Sequence, residues 1–191
     1  MNKKLIYVLL AFVLVAVIAF AACHRGEDPS NDPNQDPNQN PNQDILDLCD
    51  SLSDAKSATQ VITVKNGGDE LAKETLNYNF VTGKVTIERK TLNGSSADEL
   101  YTTTTETKDI TGKPTVKLTR TLLNDVTETA TTLKATVKSA NLNEVFGIQS
   151  NEVQGDAKLE IVAQGNHIVS ITVTYTSANG NAVEIVTTYV Y

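Results

Sequence analysis

From Gln60 to Tyr191 the chain keeps returning to a period of two, with apolar side chains on one parity and threonine, lysine or glutamate on the other. That spacing puts the apolar set on one face of a pleated strand and the polar set on the other. Gln60 to Lys65 reads as a strand closed by Asn66-Gly67-Gly68. Lys73 to Val81 alternates Leu76, Tyr78 and Phe80 with Thr75, Asn77 and Asn79; Thr82-Gly83 then turns the chain into Lys84 to Leu92, with Val85 and Ile87 on one side. Leu100 to Ile110 holds the tract Thr102-Thr103-Thr104-Thr105 and reads as a weak, exposed strand. Thr115 to Leu123 alternates Val116, Leu118 and Leu122 with threonines and Lys117, and Thr131 to Lys138 turns Leu133, Ala135 and Val137 inward. Asp156 to Val162, Ile168 to Thr176 and Ala182 to Tyr191, joined by Gly165-Asn166 and Asn179-Gly180, are the clearest strands. Such short connections make antiparallel hairpins. The expected fold class is α+β, mostly β, built on an antiparallel meander of about nine strands.

Two stretches depart from this period. Ile45, Leu48, Cys49 and Leu52 follow i, i+3, i+4, i+7, with Asp44 as N-cap and Asp47 in the first turn. They predict an amphipathic helix from Asp44 to about Lys56, which is too short to stand without a sheet to pack on. Between Ser139 and Ile148, Leu142, Val145 and Phe146 recur at three and four, with Ser139 as N-cap and Gly147 as stop. This is a second, short helix.

The start of the chain is of another kind. Lys3 and Lys4 precede a sixteen-residue apolar run, Leu5 to Phe20, followed by Ala21-Ala22-Cys23. The run suits a signal segment better than a spanning helix, which needs roughly 20 residues. Phe20-Ala21-Ala22-Cys23 resembles the lipobox of bacterial lipoproteins, with Phe20 where the family carries Leu, Val or Ile. The resemblance implies a signal peptide over residues 1–22 and a mature N-terminus at Cys23 that carries acyl chains of the palmitate kind. The alternative is an uncleaved anchor helix from Leu5 to Ala22. Both place the remainder outside the cytoplasmic membrane, anchored to a bacterial membrane at the cell surface or the periplasmic face. Residues 23–43 then form a lipidated tether. It repeats Asp-Pro-Asn-Gln with small variations from Asp28 to Gln43 and holds four of the five prolines. With no apolar side chain to bury, it cannot offset the entropy of folding. Extended at about 3.1 Å per residue, it spans up to roughly 50 Å.

Residues 44–191 remain as one β-rich extracytoplasmic domain, long enough for a core of its own. Removing residues 1–22 takes two lysines from 16 basic residues and leaves all 23 acidic ones, a net charge of −9. That balance excludes a basic nucleic-acid footprint. With Cys23 acylated, Cys49 has no disulfide partner within the chain, and its place on the apolar helix stripe makes it a core residue. The histidines, His24 and His167, are far apart, so no metal site is expected. No phosphate loop, Gly-x-Ser-x-Gly or calcium loop occurs, so no cofactor and no catalytic residue is assigned, and the expectation is a protein that is not an enzyme. Glu88, Glu106, Glu128, Glu160 and Glu184 sit beside threonines and read as exposed-face charges. Asn93-Gly94-Ser95 fits the N-glycosylation pattern without significance in a bacterial lipoprotein.

The stretch from Asp47 to Val64, a helix running into a strand, and the hairpins from Gly155 to Tyr191 resemble in topology the LolA-type lipoprotein carriers and, more closely, the LppX-type lipid-carrying lipoproteins. The resemblance implies an open half-barrel whose sheet curls around helices and leaves an apolar cavity for acyl chains. It assigns no ligand contact to any residue. The functional expectation is a non-enzymatic binding module for an apolar or lipid ligand. A structural, adhesive or sensory domain that meets an envelope protein or glycan is the alternative.

Overall fold

The computed structural model of the chain describes residues 44–92, 101–112 and 116–191. The signal segment, Cys23, His24, the tether and Asn93-Gly94-Ser95 lie outside the described residues. Nine antiparallel strands form one sheet: β1 (Ser57–Asn66), β2 (Asp69–Asn79), β3 (Lys84–Leu92), β4 (Tyr101–Asp109), β5 (Leu123–Glu128), β6 (Thr132–Val137), β7 (Val153–Gln164), β8 (His167–Ser177) and β9 (Ala182–Val190). Their order is β4-β3-β2-β1-β9-β8-β7-β6-β5. Chain neighbours therefore pair everywhere except β4 with β5, which lie at opposite edges, while β1 and β9 pair at the centre. The two edges do not pair with each other, so the sheet is open, in keeping with a half-barrel meander.

Local chemistry sets the register. Gly67 and Gly68 form a two-residue loop with φ of 58° and 103°, and Asn66 faces Asp69 across it. Both loop positions need the left-handed region, where a Cβ is strained, so this hairpin selects glycine twice. The alternation that follows buries Ala58, Gln60, Ile62 and Val64 on one face of β1, and Val183, Thr187 and Tyr189 on the same face of β9. Ala58 lies between Tyr78 and Tyr189 on the flanking strands, a small residue between two large rings.

One expected strand is absent. Val116–Thr119 is irregular and Arg120–Leu122 is a single 3-10 turn; the fifth strand is Leu123–Glu128. This segment carries the chain from edge β4 to edge β5, so its backbone has no strand to pair with. Its apolar residues alternate because they pack: Leu118 is buried, and Val116 and Leu122 lie against the core.

The leading helix spans Ile45–Asp54 with 3-10 geometry rather than the α geometry its spacing suggested. Ile45, Leu48, Cys49 and Leu52 are buried as expected, and the helix packs mainly on β8. Its N-terminal amides are met by two carboxylates. Asp44 Oδ1 accepts from Leu46 N at 3.0 Å, and Glu128 Oε1 accepts from Ile45 N at 2.9 Å. Arg120 joins them, with Nε donating to Asp44 Oδ2 at 2.7 Å and Nη2 to Glu128 Oε2. Burial pushes the Asp44 carboxyl up, but the Arg120 and Leu46 hydrogen bonds outweigh it and hold it below the usual range. Glu128 is thus half-buried and pins the helix to β5, a correction to its reading as an exposed-face charge. The late helix is the α-turn Leu142–Phe146 after a 3-10 turn at Ser139–Asn141. Gly147 closes it at φ 70°, as expected; its N-cap is Asn141 rather than Ser139, whose amide donates to Asp156 Oδ1.

Leu52, fully buried where the helix meets the sheet, should matter most. Leu52→Ala is expected to cost about 2–5 kcal/mol in urea unfolding followed by circular dichroism. Val81→Ala, at a side chain 75% exposed, should stay within about 0.5 kcal/mol.

Candidate functional site

The face on which the helix packs is mainly apolar from β6 to β9, with Thr187 an exception on β9, and takes up further polar residues on β1 to β4. Gln60 faces Thr187 across the central pair and donates from Nε2 to Thr187 Oγ1 at 3.2 Å. On β2, Glu74 occupies the parity of Leu76 and Tyr78; on β3, Arg89 occupies that of Val85 and Ile87. Glu74 and Arg89 are directly opposed, and Arg89 Nε lies 2.8 Å from Glu74 Oε1. Arg89 Nη1 also donates to Glu106 on β4, and Lys108 Nζ lies 3.2 Å from the same Glu106 oxygen. Side-chain exposure falls from 51% at Lys108 through 38% at Glu106 and 20% at Arg89 to 4% at Glu74. A strip of alternating charge thus runs from the edge strand β4 to β2, the third strand of the sheet.

The inner end of this strip holds buried acceptors with no donor. Gln60 Oε1 and both Glu74 oxygens accept no hydrogen bond, and the approach of Arg89 Nε is an ion pair without hydrogen-bond geometry. Native interiors leave few such atoms, because each forfeits its hydration. Burial is the main cause that pushes the Glu74 carboxyl up to about 6; Arg89 opposes it, the Glu106 charge adds to it and Lys108 opposes it. Tyr78 is pushed up to about 12 by burial and by the Glu74 charge. Tyr189 also rises, chiefly through burial.

A second polar group surrounds His167, which stands just after the Gly165-Asn166 turn as the first residue of β8. Its ring stacks on Tyr191 at 4.2 Å, and its buried Nδ1 has no hydrogen-bond partner. Tyr191 Oη donates to Ile168 O at 2.8 Å. Ser51 Oγ lies 3.4 Å from both Ile168 N and Tyr191 Oη. On the opposite face, Glu70, Lys73, Thr75, Glu88 and Lys90 line a polar groove of about 330 Å³.

The sequence assignments fall out unevenly on this geometry. Cys49 is buried in the core. Thr102 to Thr105 are exposed along edge β4. Glu88 and Glu184 are exposed, and Glu160 pairs with Lys134 at 3.3 Å. Glu106 belongs to the strip, correcting its reading as a surface charge; its carboxyl is held low chiefly by the hydrogen bonds from Arg89 and Lys108. Gln60, Glu74 and Arg89 were not singled out. Their signal is parity: each is polar at a position in register with apolar neighbours on its strand, Ala58 and Ile62, Ala72 and Leu76, and Val85 and Ile87. Among the described residues, no group of three or more His, Cys, Asp or Glu side chains is placed to hold a metal ion, and no helix is long and apolar enough to cross a membrane. No family model matches the sequence, and comparison with curated proteins gives no match.

Because the Glu74 carboxyl sits higher in the fold than its ordinary 4.5, the native state holds this proton more tightly than the unfolded chain does. Its contribution therefore favours the fold fully below 4.5 and is lost as pH rises through about 6, a swing of roughly 2 kcal/mol. Urea midpoints at pH 4.5 and 7.5 should show the parent gaining on Glu74→Gln at the lower pH. Parallel pH profiles would count against a raised Glu74.

Proposed function

We propose that this chain is a membrane-anchored extracytoplasmic lipoprotein, acylated at Cys23, whose β-rich domain is a non-enzymatic binding module for an apolar or lipid ligand. The carrying observation is the open nine-stranded sheet, whose buried face is mainly apolar on β6 to β9 and sets apolar side chains beside polar ones on β1 to β3, and whose two edges do not pair. An open sheet can part from what covers it without breaking a ladder of backbone hydrogen bonds, which a closed barrel cannot do. The helix packs chiefly on β8, so the half of the sheet from β1 to β4 is where a ligand would insert between packed segments. The lipobox resemblance and the proline-rich tether agree with this reading, because they hold the domain near a source of lipid.

An alternative, an interaction domain of the envelope, draws on β4, the edge strand of the sheet, where Thr102 to Thr105 are exposed. Such edges accept a partner strand.

Purified full-length protein in a neutral detergent should take up a fluorescent fatty acid with saturable, one-to-one stoichiometry. A lack of uptake would sink the carrier reading and favour the interaction domain. Metabolic labelling with a radioactive fatty acid should mark the protein and fail in Cys23→Ala; retained label would contradict acylation at Cys23.

A further inference from the structure

The buried acceptors on β1 and β2 sit at one place. Glu74 faces Ile62 on β1, and Gln60 is two residues away from Ile62 on the same face, so the two are diagonal neighbours. Thr187, opposite Gln60 on β9, is already engaged by the Gln60 amide nitrogen. The Arg89 guanidinium, the nearest cation of the strip, is held between Glu74 and Glu106. Along β4 and then inward, the strip reads Lys108 positive, Glu106 negative, Arg89 positive and Glu74 negative, so it ends on a negative charge diagonal to Gln60, whose carbonyl oxygen has no partner. An anionic head group would be repelled by the Glu74 carboxylate and the Gln60 carbonyl oxygen, while Arg89 is already engaged by Glu74 and Glu106. A cation with N–H donors would meet two acceptor atoms that have no partner, Gln60 Oε1 and Glu74 Oε2, beside the Glu74 Oε1 that faces Arg89. Leu76, Tyr78, Val85 and Ile87 continue the same face and supply an apolar wall.

We infer that Gln60 and Glu74 form the head-group subsite for a cationic amphiphile, a primary ammonium on an alkyl chain, with the chain lying along Leu76, Tyr78, Val85 and Ile87. This rests on the apolar-ligand reading above and adds the sign and donor character of the head group. The graded strip from β4 inward gives a charged head polar company on its way from the edge. Charge-assisted bonds in a site shielded from water discriminate strongly, because the wrong head leaves the same atoms unpaired.

The test is titration calorimetry of full-length protein in neutral detergent at pH 7.4 with octylamine, octanol and octanoate. Octylammonium is expected to bind at least tenfold more tightly than octanoate, with octanol between them. Glu74→Gln should erase at least tenfold of the octylammonium affinity while leaving octanol unchanged, and Gln60→Leu should have a smaller effect in the same direction. The ranking of the three ligands on the unaltered protein tests the inference even if a variant does not fold. Equal binding of all three, or preference for octanoate, overturns the ammonium subsite while leaving the apolar-ligand reading intact. Binding of none overturns both.

Discussion

The pairing of β1 with β9 holds the domain together. Each strand begins or ends one of two meanders, β1 to β4 and β5 to β9, and nothing but this ladder makes them one sheet. The contact is long, running from Ser57 opposite Val190 to Lys65 opposite Ala182 without a register shift. It joins residues more than a hundred positions apart, so its loop-closure entropy must be met before its hydrogen bonds contribute. The local hairpins, fixed by turns such as Gly67-Gly68, prepare the two halves. The helix then rests on β8, beside the joint, with its N-terminus tied to edge β5 through Asp44, Arg120 and Glu128.

The same joint brings the polar residues together. Gln60 and Thr187 meet only because β1 and β9 are neighbours in that register, and a slip of one residue would turn both to the other face. Glu74 and Arg89 extend the polarity into the β1 to β4 half. An apolar pair of similar volume would often be as stable as a buried ion pair, so stability alone gives little reason for charges there. Gln60 Oε1 and Glu74 Oε2, buried acceptors that meet no donor, are harder still to attribute to stability. A polar function on an apolar face accounts for both.

Much of the fold was legible because period-two alternation and glycine turns are local signals. Leu76 and Tyr78, Val85 and Ile87, and Leu133, Ala135 and Val137 all face the core as their spacing implies. The helix stripe Ile45, Leu48, Cys49 and Leu52 is buried too, although its backbone is 3-10. What periodicity missed was long-range. Val116, Leu118 and Leu122 alternate like a strand, yet they pack from a crossing segment with no partner ladder. The β1–β9 neighbourhood has no local signature at all. The candidate site left a trace in parity, at Gln60, Glu74 and Arg89, but a single polar residue in an apolar register is also what a strand end or an edge produces. Only the pairing of β1, β2 and β3 brings the three anomalies side by side.

The most direct test is the set of cross-strand proton contacts in solution by nuclear Overhauser spectroscopy. Thr59 with Thr188, Val61 with Val186 and Thr63 with Glu184 should each show an α–α or amide–amide contact, according to their place in the antiparallel ladder. Contacts in a shifted register, or β1 and β9 each facing other strands, would contradict the central joint and the polar strip that depends on it.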